Sequence, residues 1–247
     1  MQGADHRKIV VAPDADALAR LAAQRLIARI ELHHDQPAIC LTGGSGPTKM
    51  LALLASEFAH RIPWQRVHWF ITDERFVPES DPLSNICAAK RALLDGRAPA
   101  ANVHAMRTDT VTPDDAASDY QRELQAFYGS ETLDPARPLF AIVFGGLGPD
   151  GHTASLFPGW PQLGITDRWV AGVDSAHVEP FVPRVTLTFP ALASCEEMLF
   201  MVPDAKKRDI VARVFAGNDL PAAHARSQRD TVWLMIADVV PETLRAD

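Results

Sequence analysis

Short apolar runs rich in β-branched and aromatic residues recur along the chain, at 9–12, 38–41, 67–71, 139–144, 169–173, 185–189, 198–202 and 231–237. Each has the length of a strand. Between several of them the period changes. Segment 14–33 places Leu18, Leu21, Ala22, Leu26 and Ile30 at three- and four-residue spacing with charged residues opposite, which predicts an amphipathic helix. Segment 47–60 repeats the stripe with Met50, Leu51, Leu54 and Phe58, and Pro47 suits a first helical turn. Segments 85–95, 113–128 and 205–216 also read as helices.

Strands alternating with crossover helices imply an α/β fold: a doubly wound, mostly parallel sheet with helices on both faces. The unbroken apolar runs at 38–41 and 139–144 fit central strands buried on both sides. No repeat, low-complexity tract or convincing linker divides residues 1–247, so a single domain is expected, with the proline-rich stretches near 158–161 and 178–183 as loops.

In a parallel sheet the loops that follow the strands emerge along one edge, where such folds keep their ligands. After 38–41 comes TGGSGPTKM, in which Gly43, Gly44 and Gly46 let backbone approach a ligand, while Thr42 and Ser45 add hydroxyls. The helix that follows offers free N–H groups and a positive dipole end, so phosphate is the natural guest. A tight turn holding nothing is the competing reading. The spacing GxxxxGK[ST] is absent, and a nucleoside triphosphate is not implied.

After 67–71 comes TDERFVPESDPLSN, with Asp73, Glu74 and Arg75 at the strand end. Alone, these read as a solvated charge cluster, with Asp81 and Ser84 shaping a turn or capping the helix at Asn85.

The stretch after 139–144 is GGLGPDGHTASLFPG. His152, set between glycine and threonine, is positioned by backbone rather than by packing and suits general-base work. Asp150 before Gly151 fits an Asx-type turn as well as a functional role. One helical turn is expected from Thr153. Farther on, Arg184 opens a strand and Lys206 follows another; converging on the glycine loop, they would bind a dianion.

Composition narrows the partners. The chain has 247 residues, 47% hydrophobic and 22% charged, with a formal net charge of −7. That acidity argues against a nucleic-acid surface but not against a small anionic ligand. No run reaches membrane-spanning length, and MQGADHRKIVVAPDADA has no signal-peptide core, so a cytoplasmic, non-membrane protein is expected. Cys40, Cys87 and Cys195 form no CxxC and read as reduced thiols, with no structural zinc. The adjacent His33 and His34 are expected at the surface, and no heptad pattern names a protein partner or an oligomeric state.

Taken together, TGGSGP, TDERFVP with its SN, GLGPDGHTASLFPG, PRVTLTFPAL and VPDAKK, in that order and followed by LPAAHAR, resemble the 6-phosphogluconolactonase family. GPDGHTASLFPG is the most specific of these. The resemblance implies hydrolysis of 6-phospho-D-glucono-1,5-lactone to 6-phosphogluconate in the oxidative pentose phosphate pathway, without metal or cofactor. It makes His152 the base that activates water, with Asp150 orienting it. It assigns the phosphate to Thr42, Gly43, Gly44 and Ser45 with Arg75, Arg184 and Lys206, and places Asp73 among the substrate-contacting positions. The family's first loop reads GGSTP; here Gly46 replaces the threonine and removes a hydroxyl.

Two other functions compete. The sister glucosamine-6-phosphate deaminases read DGHIAFNEP, with a proton-relaying glutamate where this chain has Phe157. A phenyl ring moves no proton, although Asp73 would remain as a ring-carbon base. A sugar-phosphate sensor is the other alternative. It would carry a helix-turn-helix ahead of the first strand, which here is expected by Ile9, and would be expected to lose His152. TGGSGP is also not the GxSxG elbow of a serine hydrolase.

Overall fold

The structure is a computed structural model that describes residues 7–33 and 35–244. The described residues form nine strands: β1 (Arg7–Ala12), β2 (Ala38–Leu41), β3 (His68–Ile71), β4 (Asp73–Arg75), β5 (Phe140–Gly145), β6 (Val170–Val173), β7 (Arg184–Leu187), β8 (Cys195–Val202) and β9 (Asp230–Ile236). Six of them form one sheet in the order β1-β9-β8-β5-β2-β3, and every pairing in it is parallel.

The helices are α1 (Ala15–Leu32), α2 (Thr48–Ala55), α3 (Asn85–Ala89), α4 (Pro113–Tyr128), α5 (Phe189–Ala193), α6 (Arg208–Phe215) and α7 (Pro221–His224). Alternation along each strand sends successive side chains to opposite faces. Ile39 and Leu41 of β2, with Ile142 and Phe144 of β5, pack under Leu18, Leu26 and Ile30 of α1 and Met50 and Leu54 of α2. Cys40 and Val143 face the other way, into a core with Tyr120 and Leu124 of α4 and Val211 and Val214 of α6. Caps set where the helices begin. The Asp14 carboxylate accepts from the Asp16 and Ala17 amides at 2.9 and 2.8 Å. Thr112 and Asp115 close a capping box ahead of Pro113.

Local geometry departs from the sequence expectation in several places. The runs at 169–173 and 185–189 do not join the parallel sheet. β6 and β7 pair antiparallel with each other, and β7 pairs with β4, making a separate three-stranded sheet. Each run is apolar enough for a buried strand, and apolar content does not name its neighbour. The second run also ends at Leu187, because Pro190 lies in the first turn of α5.

Helices expected as continuous are broken. Segment 47–60 is α2 followed by a 3-10 turn at Ala59–Arg61, 85–95 passes from α3 into a π-helical turn at Lys90–Leu94, and 205–216 opens with a 3-10 turn at Ala205–Lys207. No helical turn starts at Thr153. Ala154 takes φ +48°, and Thr153 pairs with Leu156 as an isolated bridge.

His33 is half-buried rather than exposed, its Nε2 3.3 Å from Glu196 Oε2; His34 lies outside the described residues. Among the described residues no helix is long and apolar enough to cross a membrane.

Candidate active site

The strand order β8-β5-β2-β3 places the loops after these four neighbours side by side. They enclose a cleft of about 270 Å³ whose walls include Thr42–Pro47, Asp73, Arg75, Gly145–Pro149, His152, Arg184 and Lys207.

The glycine loop follows β2. A Cβ on Gly43 would lie 1.9 Å from Asn85 Oδ1, and Gly44 takes φ +85°, a backbone conformation that strains any residue with a side chain. Asn85 holds its own place by donating to the Asp73 carbonyl at 2.9 Å. Thr42 Oγ1 and Thr72 Oγ1 lie within hydrogen-bond distance at 3.3 Å, tying the loop to the end of β3. No side chain caps the start of α2.

Asp73 and Glu74 are buried, at 6% and 1% exposure, so this segment is not a solvated cluster. Glu74 is committed to structure: its carboxylate accepts from the amides of Arg75, Asn85 and Ile86 and from Ser84 Oγ. Burial pushes its pKa above the ordinary carboxylate value, and those hydrogen bonds oppose the rise. Asp73 turns instead to the cleft, accepting from Thr72 Oγ1 at 3.1 Å and from Ser155 Oγ at 2.7 Å. Ser84 caps α3 and Asp81 receives the Leu83 amide, the local roles expected of both.

Arg75 and Arg184 face each other across the β4–β7 register. Arg75 Nη1 donates to the Leu83 carbonyl at 2.7 Å, and its Nε is buried without a hydrogen-bond partner. Arg184, 4% exposed, is held by the carbonyls of Val182 (3.1 Å) and Pro180 (2.7 Å). Burial lowers its pKa from the ordinary value; neighbouring Asp73 opposes that shift and Arg75 adds to it. Of the two lysines after β8, Lys207 lines the cleft. Lys206 is exposed and does not line it, a correction to the sequence expectation. The Asp204 carboxylate receives the Lys206 amide and so fixes a 3-10 turn that turns one lysine inward and leaves the other out.

The His152 loop is held by its own backbone. Gly148 N–H donates to the His152 carbonyl at 2.8 Å, and a Cβ on Gly148 would strike the His152 ring at 2.0 Å. Gly151 takes φ +92°. Asp150 Oδ1 accepts from His152 Nδ1 at 2.6 Å and from the His152 amide at 3.1 Å. Burial would raise the Asp150 carboxyl, but the bonds and charge of His152, with a bond from His177, outweigh it and hold the acid well below the usual carboxylate range. An ionised Asp150 accepts the Nδ1 proton, which leaves His152 Nε2 as the nitrogen with a free lone pair. Phe157, 1% exposed, packs its ring against His152 at 5.0 Å.

His177, Lys207 and Ser155 carry contacts of this site that the sequence reading passed over. Lys207 was within reach, one position along in VPDAKK. His177 sits in a loop without periodicity, and nothing local marks it. Among the described residues no group of three or more His, Cys, Asp or Glu side chains is arranged to hold a metal ion.

The cleft is therefore that of an α/β protein with Arg75, Arg184 and Lys207 gathered at the carboxyl edge of its parallel strands. Residues 13–233 match the model of the glucosamine-6-phosphate isomerases/6-phosphogluconolactonase family, and the chain belongs to that family. It is 36% identical over 241 residues to the 6-phosphogluconolactonase of Mycobacterium tuberculosis, covering 93% of this chain and 96% of that protein. Against the 6-phosphogluconolactonase of Nostoc sp. the identity is 33% over 240 residues, covering 94% and 96%. The crystal structure of 6-phosphogluconolactonase from Thermotoga maritima superposes with a TM-score of 0.80 at 29% identity, over 93% of this chain and 99% of that one.

Proposed function

We propose that this chain hydrolyses 6-phospho-D-glucono-1,5-lactone to 6-phosphogluconate, the lactone-opening step of the oxidative pentose phosphate pathway, with His152 as the general base. The observation that carries the reading is the 2.6 Å bond from His152 Nδ1 to Asp150, made on the wall of the same cleft as the Thr42–Ser45 loop and three cationic side chains.

In this reading His152 Nε2 takes a proton from water as the water oxygen adds to the lactone carbonyl carbon. The tetrahedral intermediate collapses with cleavage of the bond to the ring oxygen, and that oxygen receives the proton from His152. A positioned base contributes about 10²–10⁴-fold to such a step. The phosphate is bound by the backbone of Gly43 and Gly44, the hydroxyls of Thr42 and Ser45, and the cations Arg75, Arg184 and Lys207. Asp73, locked between Thr72 and Ser155, is left to accept from a sugar hydroxyl.

The family description joins two activities, and the second remains a distinct reading. An isomerising deaminase needs a proton relay near His152, where Phe157 stands. The three cysteines are free thiols, which fits the reducing cytoplasm as the place of action. The net charge of −7 supports a small-molecule substrate over nucleic acid.

The test generates the lactone in place with glucose-6-phosphate dehydrogenase and follows its loss above the spontaneous rate. In parallel, glucosamine 6-phosphate is offered with ammonia as the readout. Accelerated lactone loss that disappears in His152→Ala supports the reading; ammonia release, or no acceleration, overturns it.

A further inference from the structure

The Asp150 carboxylate is held by two imidazoles. Oδ1 receives His152 Nδ1 at 2.6 Å, while Oδ2 lies 2.8 Å from His177 Nε2, contributed by the segment between β6 and β7. We propose that His177 is a positioning residue: by donating to Asp150 Oδ2 it keeps Oδ1 on His152 Nδ1, and so keeps His152 Nε2 free to take a proton. The proposal rests on the lactonase reading of the site.

Geometry separates this bond from a chance surface contact. A carboxylate held at only one oxygen still turns about its Cβ–Cγ bond; held at both, it does not. His177 has 41% of its side chain exposed, and water would compete for an unrestrained ring. Its ring is restrained, however, by Phe157 at 4.9 Å and Trp160 at 5.6 Å. Phe157 is also the ring against His152, so one buried phenyl group packs against both histidines.

Asp150 faces His177 directly, with His152 beyond that carboxylate. Asp174 and Glu179 lie on its own segment, and Arg184 grips the Pro180 and Val182 carbonyls of the same stretch. By donating one N–H to Asp150, His177 holds the carboxylate charge where it stabilises the imidazolium that forms as His152 takes its proton. Without that donor Oδ2 turns to water, the Oδ1–Nδ1 bond loosens, and protonated His152 loses stabilisation. The His152 titration then moves to lower pH and the base works less well.

The experiment compares wild type with His177→Phe, which keeps a ring but no donor, and His177→Gln, which restores an N–H. Lactone kcat and KM are measured against pH. The imidazole signals are titrated by NMR, with those of His152 identified by their loss in His152→Gln. In His177→Phe, kcat falls by about 10-fold, a part of the 10²–10⁴-fold that a positioned base supplies, with KM unchanged. The His152 midpoint moves to lower pH, and glutamine restores most of both effects. A His152 midpoint that His177→Phe leaves unmoved, or a glutamine variant no closer to wild type than phenylalanine, overturns the proposal. A wild type that opens no lactone overturns the functional reading whatever the titration shows; an active wild type with an unmoved midpoint overturns the positioning role alone.

Discussion

Ser155 donates its hydroxyl hydrogen to Asp73 Oδ2 at 2.7 Å, across 82 positions of sequence. The bond ties the loop that carries His152 to the strand end that carries Arg75. It is reinforced from β7, where Thr186, the residue opposite Asp73, receives the Ser155 amide on its Oγ1 at 3.1 Å. Both partners are buried, Ser155 at 1% and Asp73 at 6% exposure. The spacing between the His152 loop and Arg75 is thus set by a hydrogen bond as well as by the sheets.

Ser155→Ala leaves a buried carboxylate oxygen without its donor. A hydrogen bond to a charged group is worth about 1.5–3 kcal/mol, so the variant should unfold at lower urea concentration by roughly that stability. An unchanged midpoint would mean that Asp73 finds another donor.

His152→Ala should lower lactone turnover by about 10²–10⁴-fold while the urea midpoint stays near that of wild type. The ring is partly exposed and its main packing partner is Phe157, so little core is lost. Wild-type turnover would remove His152 from the mechanism.

Lys207→Ala should weaken inhibition by inorganic phosphate and 6-phosphogluconate by about 10- to 100-fold, the loss of one charge-assisted bond. Lys206→Ala, changed at an exposed position, should leave both constants alone. Equal effects, or the reverse order, would return the anion role to Lys206.

Gly43→Ala introduces a Cβ 1.9 Å from Asn85 Oδ1. Asn85 must move, breaking its bond to the Asp73 carbonyl, and overpacking of this kind costs about 1–3 kcal/mol. A raised KM together with lowered stability is expected from activity and urea curves; an alanine variant with wild-type KM would show that the loop adjusts without cost to binding.

The carboxyl of Asp150 is depressed in the folded state, so its contribution is complete above the unfolded value of about 3.9 and is lost as pH falls through the lower folded value. Asp150→Asn should therefore be less stable than wild type at neutral pH, and the gap should close as the pH is taken below about 4. A gap independent of pH would assign the effect to packing rather than to charge.

Much of this was legible locally. Apolar runs marked most of the strands, three- and four-residue spacing marked α1 and α2, and the glycines after β2 marked a loop, in which Gly43 has no room for a Cβ. The segment after Thr153 was misread because ordinary helix-forming side chains there conceal a positive φ at Ala154. The charged trio 73–75 was misread for a related reason. Glu74 is buried by the amides of residues 85 and 86, which lie outside any window centred on it.

The sequence by itself determined the parallel α/β class, the loops that emerge at its carboxyl edge and the place of His152 and Asp150 in one of them. Those features depend on periodicity, on glycine and proline, and on neighbours a few positions apart. Only the tertiary structure decided that β4, β6 and β7 form a sheet of their own and that Lys207 faces the cleft while Lys206 does not. It also decided that Asp150 is gripped by a second histidine 27 positions away. Each of those outcomes depends on which surfaces meet once the chain has folded back on itself, and a pattern of polar and apolar residues records that a face is buried but not what it is buried against.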